Sequence, residues 1–187
     1  MSTAIMTTRI AGFPPRVKAR IAGGLYFSTL LSAALLQWLV PDRVILAASL
    51  IEIVGMAAVT WVLYEIFKPV KRSLVLLAAG FNFVGIALEA IRLTSHGTDI
   101  AMVFHGIFCI LTGFLIFRSI FLPRILGVLI AFGGLGWLTY LTPALAGSLA
   151  PYNLACGLGG EASMFLWLLI MGVNDQRFKA HAGALEA

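Results

Sequence analysis

Long apolar segments of the sequence contain the ionisable side chains Glu52, Glu89, His105 and Glu161. Carboxylates and imidazoles act as general acids and bases, and they also bind transition metals. The HExxH and ExxH metal motifs are missing, as are the Cys/His spacings typical of zinc sites. The residue types therefore indicate a polar layer that binds a proton, a small ligand or a metal, with Glu52, His105 and Glu161 as candidate metal ligands.

Glu161 is the most unusual of the four, since no basic residue lies within ten positions of it. It interrupts the apolar segment "LACGLGGEASMFLWLLIMG", Leu154–Gly172. An ionised carboxylate deep in a membrane helix costs about 2.5–3.5 kcal/mol. We therefore expect Glu161 to face the interior of a helix bundle and to meet a partner from another helix.

The other members of the layer have simpler alternatives. Glu89 precedes Arg92 by three residues, so that the two form either a local pair at the membrane surface or part of a site. His105 is either a neutral histidine hydrogen-bonded across the bundle, or a ligand or proton carrier. Asn82 lies two turns before Glu89 on the same helical face, where it either extends a polar track or joins two helices.

The charges of the layer do not balance. Glu52, Glu89 and Glu161 contribute three negative charges, whereas Arg92 and a charged His105 supply at most two positive ones. A proton, a bound cation or a basic residue of a partner would supply the missing charge.

Composition places these residues in a lipid bilayer. The chain of 187 residues is 60% hydrophobic and 11% charged, with a mean hydropathy of +0.99, whereas about a quarter of the residues of soluble proteins are charged. Eleven of the thirteen Lys and Arg fall on one side of the predicted spans, which puts both termini in the cytoplasm. The net charge of +5 is thus explained without a nucleic-acid partner.

The fold class predicted is an all-α integral membrane protein, a bundle of six transmembrane helices. Stretches of about 17–25 apolar residues can cross a bilayer, and we place them at Ile21–Val40, Val44–Phe67, Ser73–Leu93, Ile100–Phe117, Ile125–Leu141 and Leu154–Val173. Residues 1–20 form a basic cytoplasmic segment, 21–173 the transmembrane domain and 174–187 a cytoplasmic tail. This orientation places the polar layer in the periplasmic half of the membrane.

Small and aromatic residues predict how the helices pack. The glycines of "AFGGLGW", 131–137, and "CGLGGE", 156–161, allow the fifth and sixth predicted helices to approach closely. Trp137 and Tyr140 fall near the outer interface, as aromatic belts do. Cys109 and Cys156 lie in apolar segments and are interpreted as small hydrophobic residues, not as a disulfide or a zinc cluster.

The turn "RSIFLPR", Arg118–Arg124, separates the fourth and fifth predicted helices. Its two arginines are expected to anchor the turn at headgroup level, and Pro123 to start the next helix.

Three segments resemble a bacterial membrane-protein family known as domain of unknown function 4386: "RIAGGLYF" at 20–27, the stretch from Phe104 to Leu138, and "GEASMFLWLLIMGV" at 160–173. The resemblance implies a small multi-helix protein of the bacterial inner membrane. It assigns no activity, substrate or cofactor, but it favours His105, Arg118, Arg124 and Glu161 as residues of interest.

Three functions remain open from the sequence. The first is a binding or transport role for a small ligand, cation or proton. The second is an accessory subunit that pairs with a membrane-protein partner or with another copy of itself in the bilayer. The third is an intramembrane enzyme that uses a carboxylate and His105 as acid and base.

Overall fold

The computed structural model describes residues 13–38, 42–92 and 100–183, and side chains within them except at 33–38, 42–46, 92 and 182. The described residues are helical or in short connections. The α-helices are α1 (Pro15–Trp38), α2 (Asp42–Arg92), α3 (Ile100–Arg118), α4 (Arg124–Leu138), α5 (Pro143–Leu149), α6 (Tyr152–Ile170) and α7 (Asp175–Gly183), and a 3-10 turn, Thr139–Leu141, follows α4.

Helix α2 is two helical arms that meet at a kink. Lys71 has φ −162° and ψ 97°, which is extended backbone, and Pro69 lies just before it inside the helix. Proline cannot donate the i to i−4 hydrogen bond, and its ring crowds the preceding turn. The segment "KPVKR", predicted as a break between two helices, therefore changes the chain direction through a kink and not through a loop.

The five long helices are arranged in a closed ring, in which each packs against the next. Helix α1 contacts α2, α2 contacts α3, α3 contacts α4, α4 contacts α6, and α6 returns to α1. Near one end of this ring the Arg20 guanidinium Nη2 donates to the carbonyl of Ile170, 3.0 Å away, which ties the start of α1 to the end of α6. Side chains from every long helix can therefore meet in the middle of the ring.

Glycines let α4 approach its two neighbours, as the sequence predicted for the fifth and sixth helices. A Cβ on Gly113 of α3 would lie 2.5 Å from the carbonyl oxygen of Gly127. A Cβ on Gly160 of α6 would lie 2.9 Å from Cα of Gly133. Real Cβ atoms do not approach so closely, so these crossings require glycine.

Basic residues collect at one end of the bundle. Lys68 donates to Glu65, three residues before it on α2, over 2.9 Å, and Lys18 of α1 lies 3.8 Å from the same carboxylate. The backbone N–H of Arg16 donates to the Asp175 carboxylate over 2.8 Å. These contacts join α1, α2 and α7 at the end that the charge pattern assigns to the cytoplasm.

Within the part of the chain that the structure describes, four helical segments are long and apolar enough to cross a membrane: Ala47–Ile91, Ile100–Arg118, Arg124–Leu141 and Tyr152–Ile170. The first contains the kink and covers most of the second and third predicted spans. Large apolar side chains such as Val54, Phe132 and Ile170 point outward from the bundle. An all-helical protein with such helices and such a surface is a membrane protein.

One connection between helices differs from the sequence prediction, and another lies outside the described residues. The connection between the fifth and sixth predicted spans contains the short helix α5, which begins at Pro143, where proline's missing N–H costs nothing. The connection between the third and fourth predicted spans lies outside the described residues.

Candidate functional site

Each of the five long helices sends at least one side chain to a common buried cluster, which we call the polar centre. Helix α1 and the two arms of α2 contribute one residue each, α3 contributes two, and α4 and α6 one each. Its members are Tyr26, Thr60, Asn82, His105, Cys109, Trp137 and Glu161.

Glu161 lies at the middle of helix α6 and is only 2% exposed. Its Oε1 accepts a hydrogen bond of 2.6 Å from the indole Nε1 of Trp137, on α4. The same oxygen lies 3.0 Å from Nε2 of His105, on α3. The expectation that Glu161 faces inward and meets partners from other helices is thus confirmed.

A chain of hydrogen bonds fixes which nitrogen of His105 carries a proton. The Thr60 hydroxyl donates its one hydrogen to the carbonyl of Met56 over 2.8 Å. It can then only accept from Nδ2 of Asn82, 2.6 Å away. The Asn82 amide therefore presents its oxygen to Nδ1 of His105, at 2.9 Å, and that nitrogen must be the donor.

This polarity leaves two acceptors facing each other. With its hydrogen on Nδ1, a neutral imidazole has a lone pair on Nε2. That lone pair points at Oε1 of Glu161, which already accepts from Trp137 and is itself an acceptor. Two buried lone pairs 3.0 Å apart repel unless a positive charge lies between them. A proton or another cation between the two atoms would remove this repulsion.

Two further groups border the same space. The Cys109 thiol is fully buried and its Sγ lies 3.5 Å from Nε2 of His105. The Tyr26 hydroxyl is 1% exposed and lies beside the Glu161 carboxyl group and Cys109. No group in the described part of the chain meets it with the distance and angles of a hydrogen bond.

Trp137 reaches the centre because α6 leaves room for its ring. A Cβ on Gly157 would overlap the six-membered ring of the indole. The sequence placed Trp137 at the outer interface, and this interpretation is wrong, since the side chain is 6% exposed and its N–H points inward. A tryptophan near a helix end normally seeks the interface, but a buried carboxylate is a stronger partner for its N–H.

The remaining predicted residues lie in other places. Glu52 and Glu89 are half-buried on α2. Among the described side chains, the His, Cys and acidic group whose donor atoms lie within 4.8 Å of one another consists of His105, Cys109 and Glu161, so Glu52 is not in it. The side chain of Arg92 lies outside the description.

Arg118 and Arg124 are exposed at the turn between α3 and α4, where the sequence placed them. The guanidinium of Arg118 lies 5.1 Å from the ring centroid of Phe114, and that of Arg124 lies 5.6 Å from the ring of Phe117. Both distances are those of cation–π contacts. Pro123 directly precedes α4, as predicted.

Sequence reasoning missed the roles of Trp137, Thr60 and Tyr26. Their positions depend on how separate helices pack, so the sequence carried no signal for them. Cys109 follows His105 by four residues and shares its helical face, which made it a candidate for a polar track, but its thiol was interpreted as a small hydrophobic group.

The polar centre is separate from a surface cleft at the basic end of the bundle. A cleft of about 590 Å³ lies at the basic end, where Arg16, Trp167, Asp175 and Arg177 are among its lining residues. It contains no member of the polar centre. The polar centre therefore lies inside the packed bundle, whereas this cleft opens at the surface.

Comparison with known proteins places the chain in a family. The model of a family described as Domain of unknown function (DUF4386) matches residues 88–172. The chain belongs to the DUF4386 family. An uncharacterized protein of Archaeoglobus fulgidus is 30% identical to this DUF4386 protein over an alignment of 121 residues, and the match covers 59% of this chain and 72% of that protein. No solved structure matches significantly.

The matched segment contains part of the polar centre. His105, Cys109, Trp137 and Glu161 lie within residues 88–172, on α3, α4 and α6. Tyr26, Thr60 and Asn82 come from the preceding helices. In this DUF4386 protein, therefore, the groups around the contact between His105 and Glu161 lie in the matched segment. Asn82 and Thr60, which orient the His105 ring, lie before it.

Proposed function

We propose that this DUF4386 protein crosses the bacterial cytoplasmic membrane six times, with both termini in the cytoplasm, and binds one small cation at the polar centre. The cation serves a binding or transport role. The lone pairs of His105 Nε2 and Glu161 Oε1, which face each other at 3.0 Å, carry this proposal.

The size of the space favours a single ion over a small-molecule ligand. The two acceptor atoms are within hydrogen-bond distance of each other, and Cys109 and Tyr26 close the same space from α3 and α1. A proton or one metal ion fits between ligand atoms at such separations, whereas an organic molecule does not.

The surroundings also favour a cation. Moving an isolated carboxylate into a medium of low dielectric constant is very unfavourable, and a paired positive charge offsets much of that cost. Trp137 supplies a dipole to the carboxylate but no charge. A bound cation neutralises Glu161 and satisfies His105 at once.

The six-span arrangement is supported by the kink at Lys71 and by the distribution of basic residues. A bilayer core of about 30 Å cannot contain helix α2 as one straight span, because its 51 residues would extend about 75 Å. A turn at Lys71 brings Lys68, Lys71 and Arg72 to one membrane surface, together with the basic residues of α1.

Nitrogen NMR of the imidazole rings tests the proposal, because ¹⁵N shifts distinguish bare, protonated and metal-bound ring nitrogens. The protein is labelled at histidine and studied in detergent, and His105→Gln and His181→Gln variants assign the signals. We expect Nε2 of His105 to be protonated or metal-bound near neutral pH. A bare Nε2 on a neutral ring would overturn the proposal, because the site would then hold no cation.

A further inference from the structure

We propose that the polar centre is a binding site for a thiophilic divalent metal ion of the Zn²⁺ type, with Nε2 of His105, Sγ of Cys109 and the carboxylate of Glu161 as ligands. This inference rests on the proposed cation-binding function and specifies the cation.

The three donor atoms are arranged as they would be around a small metal ion. Zn²⁺ binds nitrogen and oxygen at about 2.0–2.2 Å and sulfur at about 2.3 Å, so tetrahedral ligands lie about 3.3–3.7 Å apart. Here Nε2 of His105 lies 3.5 Å from Sγ of Cys109 and 3.0 Å from Oε1 of Glu161. All three atoms lie within 4.8 Å of one another. Small side-chain movements would therefore complete the coordination.

The neighbouring residues orient the ligands as they do in metal sites. Metal-bound histidines usually donate their second ring N–H to an oxygen, which fixes the tautomer and aims the lone pair. Asn82 accepts from Nδ1 of His105 in this way, at 2.9 Å. Trp137 donates to the carboxylate of Glu161 at 2.6 Å and holds it in place. Asn82 of α2 thus fixes the orientation of the His105 ring, and Trp137 of α4 fixes that of the Glu161 carboxylate, before a metal binds.

The Tyr26 hydroxyl borders the same space and also points to a ligand there. This hydroxyl is 1% exposed and lies beside Glu161 and Cys109, and no described group satisfies it. A buried polar group without a partner loses its hydrogen bonds to water and gains none in return, so such groups are rare in folded proteins. The hydroxyl would occupy or border the fourth coordination position.

The donor types select the class of metal. Ca²⁺ and Mg²⁺ require oxygen ligands, and a thiolate and an imidazole do not suit them. Zn²⁺ accepts sulfur, nitrogen and oxygen together in a tetrahedral site. The Cys109 thiolate and the Glu161 carboxylate carry two negative charges, which match those of a divalent ion. The complex with neutral His105 has no net charge, as a membrane interior favours.

Cobalt titration tests the ligand set, since a thiolate bound to Co²⁺ gives an intense near-ultraviolet charge-transfer band. The full chain is purified in mild detergent, stripped with chelator and titrated with Co²⁺. We expect one equivalent to produce the band and excess Zn²⁺ to remove it. Cys109→Ser should abolish the band, whereas Cys156→Ser, a cysteine outside the centre, should retain it.

Asn82→Ala tests the orienting role without removing a ligand. Loss of such an outer partner typically weakens metal affinity by about 10–100-fold, and we expect a shift of that size in the Co²⁺ titration. Zn²⁺ should also raise the unfolding temperature of the wild type and of Cys156→Ser, but not that of Cys109→Ser.

Two results would overturn the metal site: no charge-transfer band in a folded wild type, or a band that Cys109→Ser leaves unchanged. If NMR then shows His105 protonated at Nε2 with Zn²⁺ present, the bridging cation is a proton. The cation-binding function would stand and the metal inference would fail. A bare Nε2 would exclude both.

Discussion

Nε2 of His105 lies 3.0 Å from Oε1 of Glu161, although the residues are 56 positions apart in sequence. Helix α4 packs against both α3 and α6, and the two side chains meet across the interior of the ring. Neither residue has a partner of opposite charge close to it on its own helix, and the proposed cation lies between them. The following predictions test that relationship and the architecture around it.

Glu161→Gln should preserve the fold and remove the cation. Glutamine keeps the shape of the side chain, and its amide oxygen can still accept the hydrogen bond from Trp137, so stability in detergent unfolding should stay within about 1 kcal/mol of the wild type. Glu161→Ala leaves both groups unsatisfied and should cost roughly 1–3 kcal/mol.

Glu65→Gln is the matched control, because this carboxylate pairs with Lys68 and Lys18 at the basic end, outside the centre. It should change stability by about 1 kcal/mol or less and leave cation binding intact. If the wild type, Glu161→Gln and Glu161→Ala had equal unfolding free energies and bound cation equally, Glu161 would not be a functional part of the polar centre.

Gly157→Ala should displace Trp137 from Glu161, because the new methyl group would occupy the space of the indole ring. Overpacking of this kind typically costs about 1–3 kcal/mol. Gly159→Ala, two residues away, meets nothing within 4 Å, and it should be neutral or more stable by up to about 1 kcal/mol. Chemical unfolding of the two variants measures the difference, and equal losses would argue against a specific slot for Trp137.

Asn82→Ala and Glu161→Gln should show energetic coupling although the two side chains share no hydrogen bond. Both act on the ring of His105, one through Nδ1 and the other through Nε2. A double-mutant cycle of unfolding free energies should give an interaction of about 0.5–3 kcal/mol. Additive effects would show that the hydrogen-bond chain does not act as one unit.

Replacing Arg118 and Arg124 together by glutamine should lower the yield of correctly oriented protein, since both the charge and the contacts with Phe114 and Phe117 are lost. Lysine at both positions keeps the charge and should restore orientation, but only part of the stability. Protease accessibility of a C-terminal tag in intact cells reports the orientation. Unchanged orientation in the glutamine variant would assign these arginines to a bound partner.

Single cysteines in a Cys156→Ser background should establish the topology. Ser148, Ser73 and Ala180 are exposed positions on α5, α2 and α7. A membrane-impermeant thiol reagent should label Ser148→Cys in intact cells, and Ser73→Cys and Ala180→Cys only after permeabilisation. Labelling of either cytoplasmic position in intact cells would overturn the six-span arrangement or its orientation.

The polar layer was only partly predictable from sequence. An isolated charge in an apolar segment signals that a partner exists, and this identified Glu161 and His105. The signal carries no information about distance across the bundle, so Glu52 was grouped with them while Cys109 was interpreted as a small hydrophobic residue. Trp137 was misplaced because the preference of tryptophan for the interface is a statistical one, and a specific buried acceptor overrides it.

The sequence by itself determined that this protein is helical and lies in a membrane, because runs of apolar residues and one-sided basic charge act locally and need no knowledge of the packing. It also determined that the charge of Glu161 had to be compensated. Only the tertiary structure decided how, since the ring of helices brings Asn82, His105, Trp137 and Glu161 together from four different helices. Helix rotation and spacing depend on the packing of small residues such as Gly157 and Gly160, and that packing orients the hydrogen bonds which leave one position for a cation.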